Sequence, residues 1–230
     1  MDIGRAFTFV FDDEDWIKKI LIGGIVTLIP IVNFIAFGYG VRLLRNVSRG
    51  EAKPLPEWDD WGGDFVRGAL IFVAVLVYML PLIVLSIFGA IVTAIAADAF
   101  GDVGGVAGLC LFGINCLSVI WGILVALWMP AAIIRYAREE QFGAFFQFSE
   151  IWALISNNLG TYGMAILVSI IAGIVGGLGT IACGIGVIFT TFYGNMVSMH
   201  AYGQVAAVTG PPTTMDTFAT DQEDETEAPF

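Results

Sequence analysis

The stretch GALIFVAVLVYMLPLIVLSIFGAIVTAIAA, residues 68–97, contains 30 consecutive residues without Asp, Glu, Lys or Arg. An α-helix rises about 1.5 Å per residue, so about 20 residues cross the ~30 Å hydrocarbon core of a bilayer. The stretch is long enough for one tilted or kinked spanning helix, and too short for two spanning helices joined by a turn. It predicts an integral membrane protein.

The rest of the chain has the same character. Of its 230 residues, 57% are hydrophobic and 13% are charged, whereas about 25% are charged in a typical soluble domain. Three further windows lack charged residues, namely residues 20–41, 103–134 and 151–215. Residues 103–134 predict one more long span, and the 65-residue window must be divided. Glycines between residues 173 and 186 favour a turn there, which predicts spans over residues 161–177 and 181–201.

The first uncharged window is ambiguous because Pro30 interrupts it. If residues 17–44 cross the membrane once, the ten basic residues divide seven to three between the two sides. If the chain reverses at Pro30, all ten lie on one side, which the positive-inside rule favours. We therefore predict an all-α membrane bundle of four spans plus a Pro30-broken re-entrant hairpin, with five full spans as the alternative. Irregular backbone at membrane depth needs protein cover, so the hairpin is expected to pack on the bundle.

The segments outside the spans complete this prediction. Apolar residues recur at helical spacing over residues 142–159, which predicts an amphipathic helix at the membrane interface, and residues 1–16 predict a second, shorter one. Residues 208–230 carry a charge of −6 out of a net −11 and predict a disordered acidic tail. Residues 1–207 then form a single membrane-embedded domain. The expected location is the cell membrane, with both termini in the cytoplasm.

The segment GEAKPLPEWDDWGGD, residues 50–64, places prolines, tryptophans and acids directly before the next span. The simpler interpretation is an interfacial belt and a helix entry, because tryptophan prefers the membrane interface. The alternative is a cytoplasmic site that docks a partner or lipid headgroups. The candidate docking residues are Arg42, Arg45, Arg49, Glu57, Trp58, Asp59 and Trp61.

Uncharged polar residues within the apolar windows form a second set of candidates, namely Asn33, Tyr39, Asn115 and Asn195. Hydrogen bonds between helices are the favoured interpretation, and a solute site is the alternative. No charged residue lies in the middle of a span, which lowers the expectation of an ion-coupled carrier. The cysteines are expected to be small buried hydrophobic residues, and the chain has one histidine, His200. We therefore predict no catalytic residue, no metal site and no cofactor.

Several short motifs, weak singly, occur here together. They are WIKKILIGG at residues 16–24, LIP at 28–30, GY at 38–39, RLLR at 42–45, LPEWD at 55–59, MPAA at 129–132, RYA at 135–137, Phe146 and IW at 151–152. In this combination the chain resembles the prokaryotic membrane-protein family catalogued as domain of unknown function 4013, over roughly residues 1–207. The resemblance implies a multi-pass membrane protein and supplies no catalytic residue.

Two hypotheses for function follow from these features. The first is a non-enzymatic scaffold or accessory subunit that acts on a partner or lipids at the cytoplasmic interface through residues 42–64. The second is a transporter, channel or lipid-translocating protein, whose path would run between the Pro30 hairpin and the helices containing Pro81 and Pro130. The expected partners are the lipid bilayer and a membrane protein or a second copy of the chain, and no nucleic acid.

Overall fold

A computed structural model of the protein describes residues 1–100, 105–181 and 186–210. Its helices are α1 (Ile3–Thr8), α2 (Trp16–Leu28), α3 (Phe34–Ser48), α4 (Trp61–Phe100), α5 (Val106–Glu139), α6 (Phe148–Asn157), α7 (Leu159–Leu178) and α8 (Gly186–Thr209). Short 3-10 turns cover Phe9–Asp12, Phe142–Phe146 and Gly179–Ile181. These residues contain no strand, in agreement with the predicted all-α class. Most of the predicted acidic tail lies outside the described residues.

Three helices are long and apolar enough to cross a membrane: Trp61–Ala97 in α4, Leu111–Glu139 in α5 and Leu159–Leu178. The single long helices predicted over residues 68–97 and 103–134 are present, with Pro81 and Pro130 inside them. Packing in a membrane protein allows proline within such helices. The fourth predicted span, residues 181–201, falls largely in α8, which is not among the three. The described residues therefore contain three candidate spans by this criterion, and the count of four spans stays a prediction.

Helix α8 is the centre of the bundle. It packs against α7, α3, α2, α1 and α5, and its side chains at Phe192, Met196, Val197, Ala201 and Val205 are buried. Because other helices cover α8, its polar residues are not forced into contact with lipid. This explains how a helix of modest hydropathy occupies the middle of a membrane-type bundle.

The chain reverses between α2 and α3, around Pro30. The Lys19 ammonium lies 2.5 Å from the Glu57 carboxylate, and the Trp58 indole N–H donates to the Lys19 carbonyl over 3.2 Å. The beginning of α2 and the loop after α3 therefore lie at the same end of the molecule. Residues 17–44 therefore fold back on themselves in the structure, whereas the re-entry of this hairpin into a bilayer stays a prediction.

Protein covers only part of this hairpin. Gly23 of α2 lies against the Phe192 ring of α8, and α3 packs between α4 and α8. The opposite face of α2 is exposed along Ile17, Leu21 and Ile25, and Ile31 at the tip is 65% exposed. The expectation of full protein cover is therefore wrong for this face. Turn hydrogen bonds such as Phe34 N–H to the Ile31 carbonyl satisfy the backbone locally, so full cover is not required.

Helices α3 and α4 approach each other closely at two glycines. A Cβ atom on Gly38 would overlap the carbonyl group of Asp64, and a Cβ on Gly68 would overlap the carbonyl group of Phe34. Phe34, which Gly68 touches, lies one helical turn before Gly38 on α3. Asp64, which Gly38 touches, lies one turn before Gly68 on α4. The two contacts are therefore reciprocal. Small residues permit this backbone-to-backbone packing in membrane proteins.

The two predicted interfacial segments are less regular than expected. Residues 142–159 form a 3-10 turn and then α6, separated at Gln147, instead of one helix. Ile151 is buried under the bundle, whereas Phe148 and Trp152 point outward, so apolar side chains occupy two faces of α6. At the other segment, the Phe9 ring stacks on His200 of α8 at 4.3 Å. Both segments contact the helix bundle. The periodicity of their sequences does not indicate these contacts.

Candidate functional site

A network of ion pairs joins α3, α4 and the loop between them. Arg42 donates to both carboxylate oxygens of Asp64 over 2.9 and 2.8 Å, and to Asp59 over 2.7 Å. Arg67 donates to Asp64 over 3.0 Å and to Asp60 over 2.8 Å. Only 1% of the Asp64 side chain is exposed. The buried carboxylate therefore holds two arginines in place beside the glycine crossing.

Two further basic residues, Arg45 and Lys19, make ion pairs near this network. Arg45 pairs with Glu140 and donates to the Ala137 carbonyl over 2.6 Å. Lys19 pairs with Asp13 over 2.8 Å and with Glu57. These contacts tie the amino-terminal segment, the hairpin and α5 together. The placement of all basic residues on one side of a membrane stays a prediction.

The pKa values of these groups follow from their partners. Burial alone would raise the pKa of Asp13, but its hydrogen bond and ion pair with Lys19 lower the pKa overall. Burial alone would lower the pKa of Lys19, and Asp13 and Glu57 raise it overall. The Arg42 hydrogen bond lowers the pKa of Asp59, and the Arg67 hydrogen bond lowers that of Asp60. All of these groups are charged at neutral pH.

The candidate docking residues are thus partly engaged within the chain. Arg42 and Arg45 bind internal carboxylates, and the Trp58 ring stacks on Tyr39 at 4.2 Å. Glu57 and Asp59 keep 68% and 69% of their side chains exposed, and Trp61 and Arg49 are also exposed. Sequence reasoning missed Lys19 and Asp64 as partners, because spacing does not show which charges point inward. The docking role of the set stays a prediction.

A cavity of about 320 Å³ lies between the hairpin, α7 and α8. We call it the tip cavity, because residues from both sides of the Pro30 turn line it. Its polar lining residues are Thr27, Asn33, Ser169, Thr191, Asn195 and Ser198, and its apolar ones include Ala36, Phe37, Ala172 and Phe192. None of the lining residues is charged. Two of the four predicted intramembrane polar residues, Asn33 and Asn195, therefore meet at one cavity.

The hydrogen-bonding state of the lining is unusual. The Oδ1 atom of Asn33 is buried and has no hydrogen-bond partner. Buried polar atoms are normally paired, and an unpaired one costs about 1–3 kcal/mol. By contrast, the hydroxyl groups of Ser169 and Ser198 donate to carbonyl oxygens of their own helices. Less than 1 Å² of this Oδ1 atom is accessible, so it does not face the open volume of the cavity, although other atoms of Asn33 line it.

The model of the family described as "Protein of unknown function (DUF4013)" matches residues 22–185. The chain belongs to the DUF4013 family. This confirms the resemblance drawn from the sequence motifs, over a narrower range than residues 1–207. No curated protein and no solved structure matches the chain. The matched region of this DUF4013 protein includes Asn33 and Ser169, whereas Asn195 and Ser198 lie beyond it.

The other predicted polar residues of the DUF4013 protein lie elsewhere. The Tyr39 hydroxyl donates to the Pro56 carbonyl in the loop over 2.7 Å. Asn115 is exposed, and its amide donates to the Leu111 carbonyl of its own helix over 2.8 Å. Neither of these hydrogen bonds joins two spans. The tip cavity is lined by the hairpin, α7 and α8, and its lining includes no residue of the helices containing Pro81 and Pro130.

The expectations about cysteine and histidine have mixed outcomes. Cys116 is exposed rather than buried, and Cys183 lies outside the described residues. His200 is buried, and its Nδ1 lies 3.2 Å from the Gln204 amide. Within the described parts of the chain, no group of three or more His, Cys, Asp or Glu is arranged to hold a metal ion.

Proposed function

We propose that this DUF4013 protein is a non-enzymatic membrane carrier that binds a small uncharged molecule in the tip cavity. The observation that carries the proposal is an uncharged cavity of about 320 Å³ in which Asn33 and Asn195 meet beside the break between α2 and α3. The second hypothesis from the sequence therefore receives more support than the first.

The position of the cavity supports a transport role. Transporters commonly form substrate sites where helices are interrupted near the membrane midplane, and Asn33 directly follows the interruption between α2 and α3. The volume of about 320 Å³ is within the usual ~300–1,000 Å³ of small-molecule sites. An uncharged lining fits a neutral substrate better than ion coupling.

The scaffold hypothesis depends on charged residues that are available to a partner. Arg42 is already bound to Asp64 and Asp59, and Arg45 to Glu140. Breaking a buried pair to bind a partner costs several kcal/mol. The residues that stay exposed, Glu57, Asp59 and Trp61, form a smaller docking surface than the sequence predicted for residues 42–64. A protein partner, if one exists, should be found bound to the protein after extraction from native membranes.

The occupancy of the cavity tests this proposal. The protein would be extracted from native membranes in a lipid-preserving polymer, and its bound small molecules quantified by mass spectrometry. We expect one uncharged molecule at near-stoichiometric amount, reduced at least tenfold in both Asn33→Leu and Asn195→Leu. Asn115→Leu is the matched control, because this asparagine is exposed and bonds only its own helix.

Two results would contradict the carrier proposal. One is a particle that contains no enriched small molecule, with the same lipids in all variants. The other is a stoichiometric protein partner that is lost on Trp58→Ala, which would make the chain an accessory subunit. Retention of the molecule in Asn33→Leu and Asn195→Leu would place its site outside the tip cavity.

The orientation in the membrane is part of the proposal. Lys19, Arg42 and Arg45 make their contacts at one end of the molecule, and the positive-inside rule favours the cytoplasm for this end. The backbone N–H of Asp2 donates to the Gln204 side chain over 2.7 Å, which places the amino-terminal residues at that same end. The hairpin then enters the bilayer from the cytoplasm and returns.

Cysteine labelling of intact cells tests the orientation. In a background with Cys110, Cys116 and Cys183 replaced by Ala, a cysteine at Asp2 should escape a membrane-impermeant maleimide until the cells are permeabilised. A cysteine at Asp102, between α4 and α5 in the chain, should react without permeabilisation. Labelling of the Asp2→Cys variant in intact cells would overturn the cytoplasmic placement of this end.

A further inference from the structure

We infer that the acidic segment after α8, residues 211–230, binds back to Arg138 of α5 through one of its carboxylates. The inference does not depend on the carrier proposal. It follows from three observations: the uncharged partners of Arg138, the position of Arg138 beside the end of α8, and the charge of the segment that follows.

Arg138 joins the end of α5 to the end of α8. Its Nη2 atom donates to the Ala206 carbonyl over 2.7 Å and to the Thr209 hydroxyl oxygen. Both partners belong to the last turn of α8, which ends at Thr209. The carbonyl end of a helix carries about half a negative charge. It therefore balances only part of the charge of the arginine.

Arg138 makes no ion pair in the parts of the chain that the structure describes. The acid next to it, Glu139, pairs with Arg135 instead. Arg135 lies three residues earlier on α5, and like charges at this spacing on a helix repel each other. A carboxylate at Arg138 would balance the positive charge that remains.

Two nitrogens of Arg138, Nε and Nη1, are available to bind such a carboxylate. Neither makes a hydrogen bond to another described residue, and neither is a buried atom without a partner, so both reach the surface. Hydrogen bonds between arginine and a carboxylate are charge-assisted and roughly twice as strong as neutral ones.

The segment after α8 supplies this carboxylate. Residues 211–230 contain six acids and neither Lys nor Arg. The first acid, Asp216, lies six residues after Gly210, and an extended chain spans about 3.3–3.6 Å per residue, so it has a reach of about 20 Å. A short tether gives a partner an effective concentration in the millimolar range. A lipid phosphate also pairs with arginine, but it lacks this tether.

Distances between two spin labels test the contact. The full chain, with Cys110, Cys116 and Cys183 replaced by Ala, would carry labels at Ser149→Cys on α6 and at Thr220→Cys in the acidic segment. Pulsed electron paramagnetic resonance in phosphatidylcholine nanodiscs gives the distribution of distances between them. We expect this distribution to become at least twice as broad when the six acids are replaced by Asn or Gln.

Two further variants connect the result to Arg138. Arg138→Gln should broaden the distribution as much as removal of the six acids does. Arg49→Gln is the matched control, because Arg49 is exposed at the end of α3 and also lacks an ion pair among the described residues, and it should leave the distribution unchanged. The variant without acids keeps the bundle sequence intact, so it tests the contact even if Arg138→Gln does not fold.

Three results would overturn the inference. One is an equally broad distribution with and without the six acids. Another is equal broadening by Arg138→Gln and Arg49→Gln, which would indicate a general attraction between charges. The third is a broad distribution in nanodiscs containing phosphatidylglycerol, together with a lipid that native mass spectrometry finds bound to the full chain but not to Arg138→Gln. None of these results changes the occupancy of the tip cavity, so the carrier proposal fails or stands separately.

Discussion

Replacing Asp64 by alanine is expected to lower the free energy of unfolding by about 3 kcal/mol. Removing one partner from a buried ion pair typically costs ~3–5 kcal/mol, because the remaining charge stays partly buried. Arg42 and Arg67 both lose a partner here, but Arg42 keeps Asp59 and Arg67 keeps Asp60. The effect should therefore lie at the lower end of that range.

Reversible unfolding in mixed detergent micelles, followed by tryptophan fluorescence, measures this change. Asp59→Ala is the matched control, since it removes a different carboxylate from the same arginine. The Asp59 side chain is 69% exposed, so water replaces it and we expect little change in stability. If Asp64→Ala and Asp59→Ala lower the free energy of unfolding equally, burial of the Asp64 carboxylate is not what stabilises the crossing of α3 and α4.

The second large effect is expected for Gly68→Ala. Its Cβ would overlap the Phe34 carbonyl, and neither backbone can move without separating α3 from α4. Overpacking of this kind typically costs ~1–3 kcal/mol, and more where backbone atoms collide. We expect a loss of about 3 kcal/mol in the same unfolding measurement.

Gly122→Ala provides the comparison for this variant. A Cβ at Gly122 on α5 would meet no atom within 4 Å. Alanine is also favoured over glycine within a helix by about 0.5–1 kcal/mol. Stability should therefore remain equal or increase slightly. A Gly68→Ala protein as stable as Gly122→Ala would show that α3 and α4 do not touch at this point.

The long helices were predictable because their sequences lack charge without interruption. Helices α4 and α5 follow from residues 68–97 and 103–134, since length and hydropathy are sufficient to indicate a span. The reversal at Pro30 was predictable from the distribution of basic residues. The identity of α8 as the central helix was not, because hydropathy measures compatibility with lipid, and α8 is covered by other helices.

The candidate site was predictable only as separate residues. Asn33 and Asn195 lie 162 positions apart, and nothing in the sequence indicates that they line one cavity. In the same way, the charge of Arg42 made it a candidate for docking, but Arg42 pairs with the buried side chain of Asp64. Which neighbour a polar side chain meets depends on tertiary packing, and single-sequence patterns do not contain it.

Contacts between the amino-terminal segment and α8 have a consequence for biogenesis. The Tyr193 hydroxyl donates to the Phe7 carbonyl over 2.6 Å, and Gly23 packs on Phe192. Synthesis proceeds at about 5–20 residues per second, so Phe192 follows the end of α2 by roughly 10–30 s. During that period, the glycine face of α2 lacks its contact with Phe192. The hairpin is completed only when α8 leaves the ribosome.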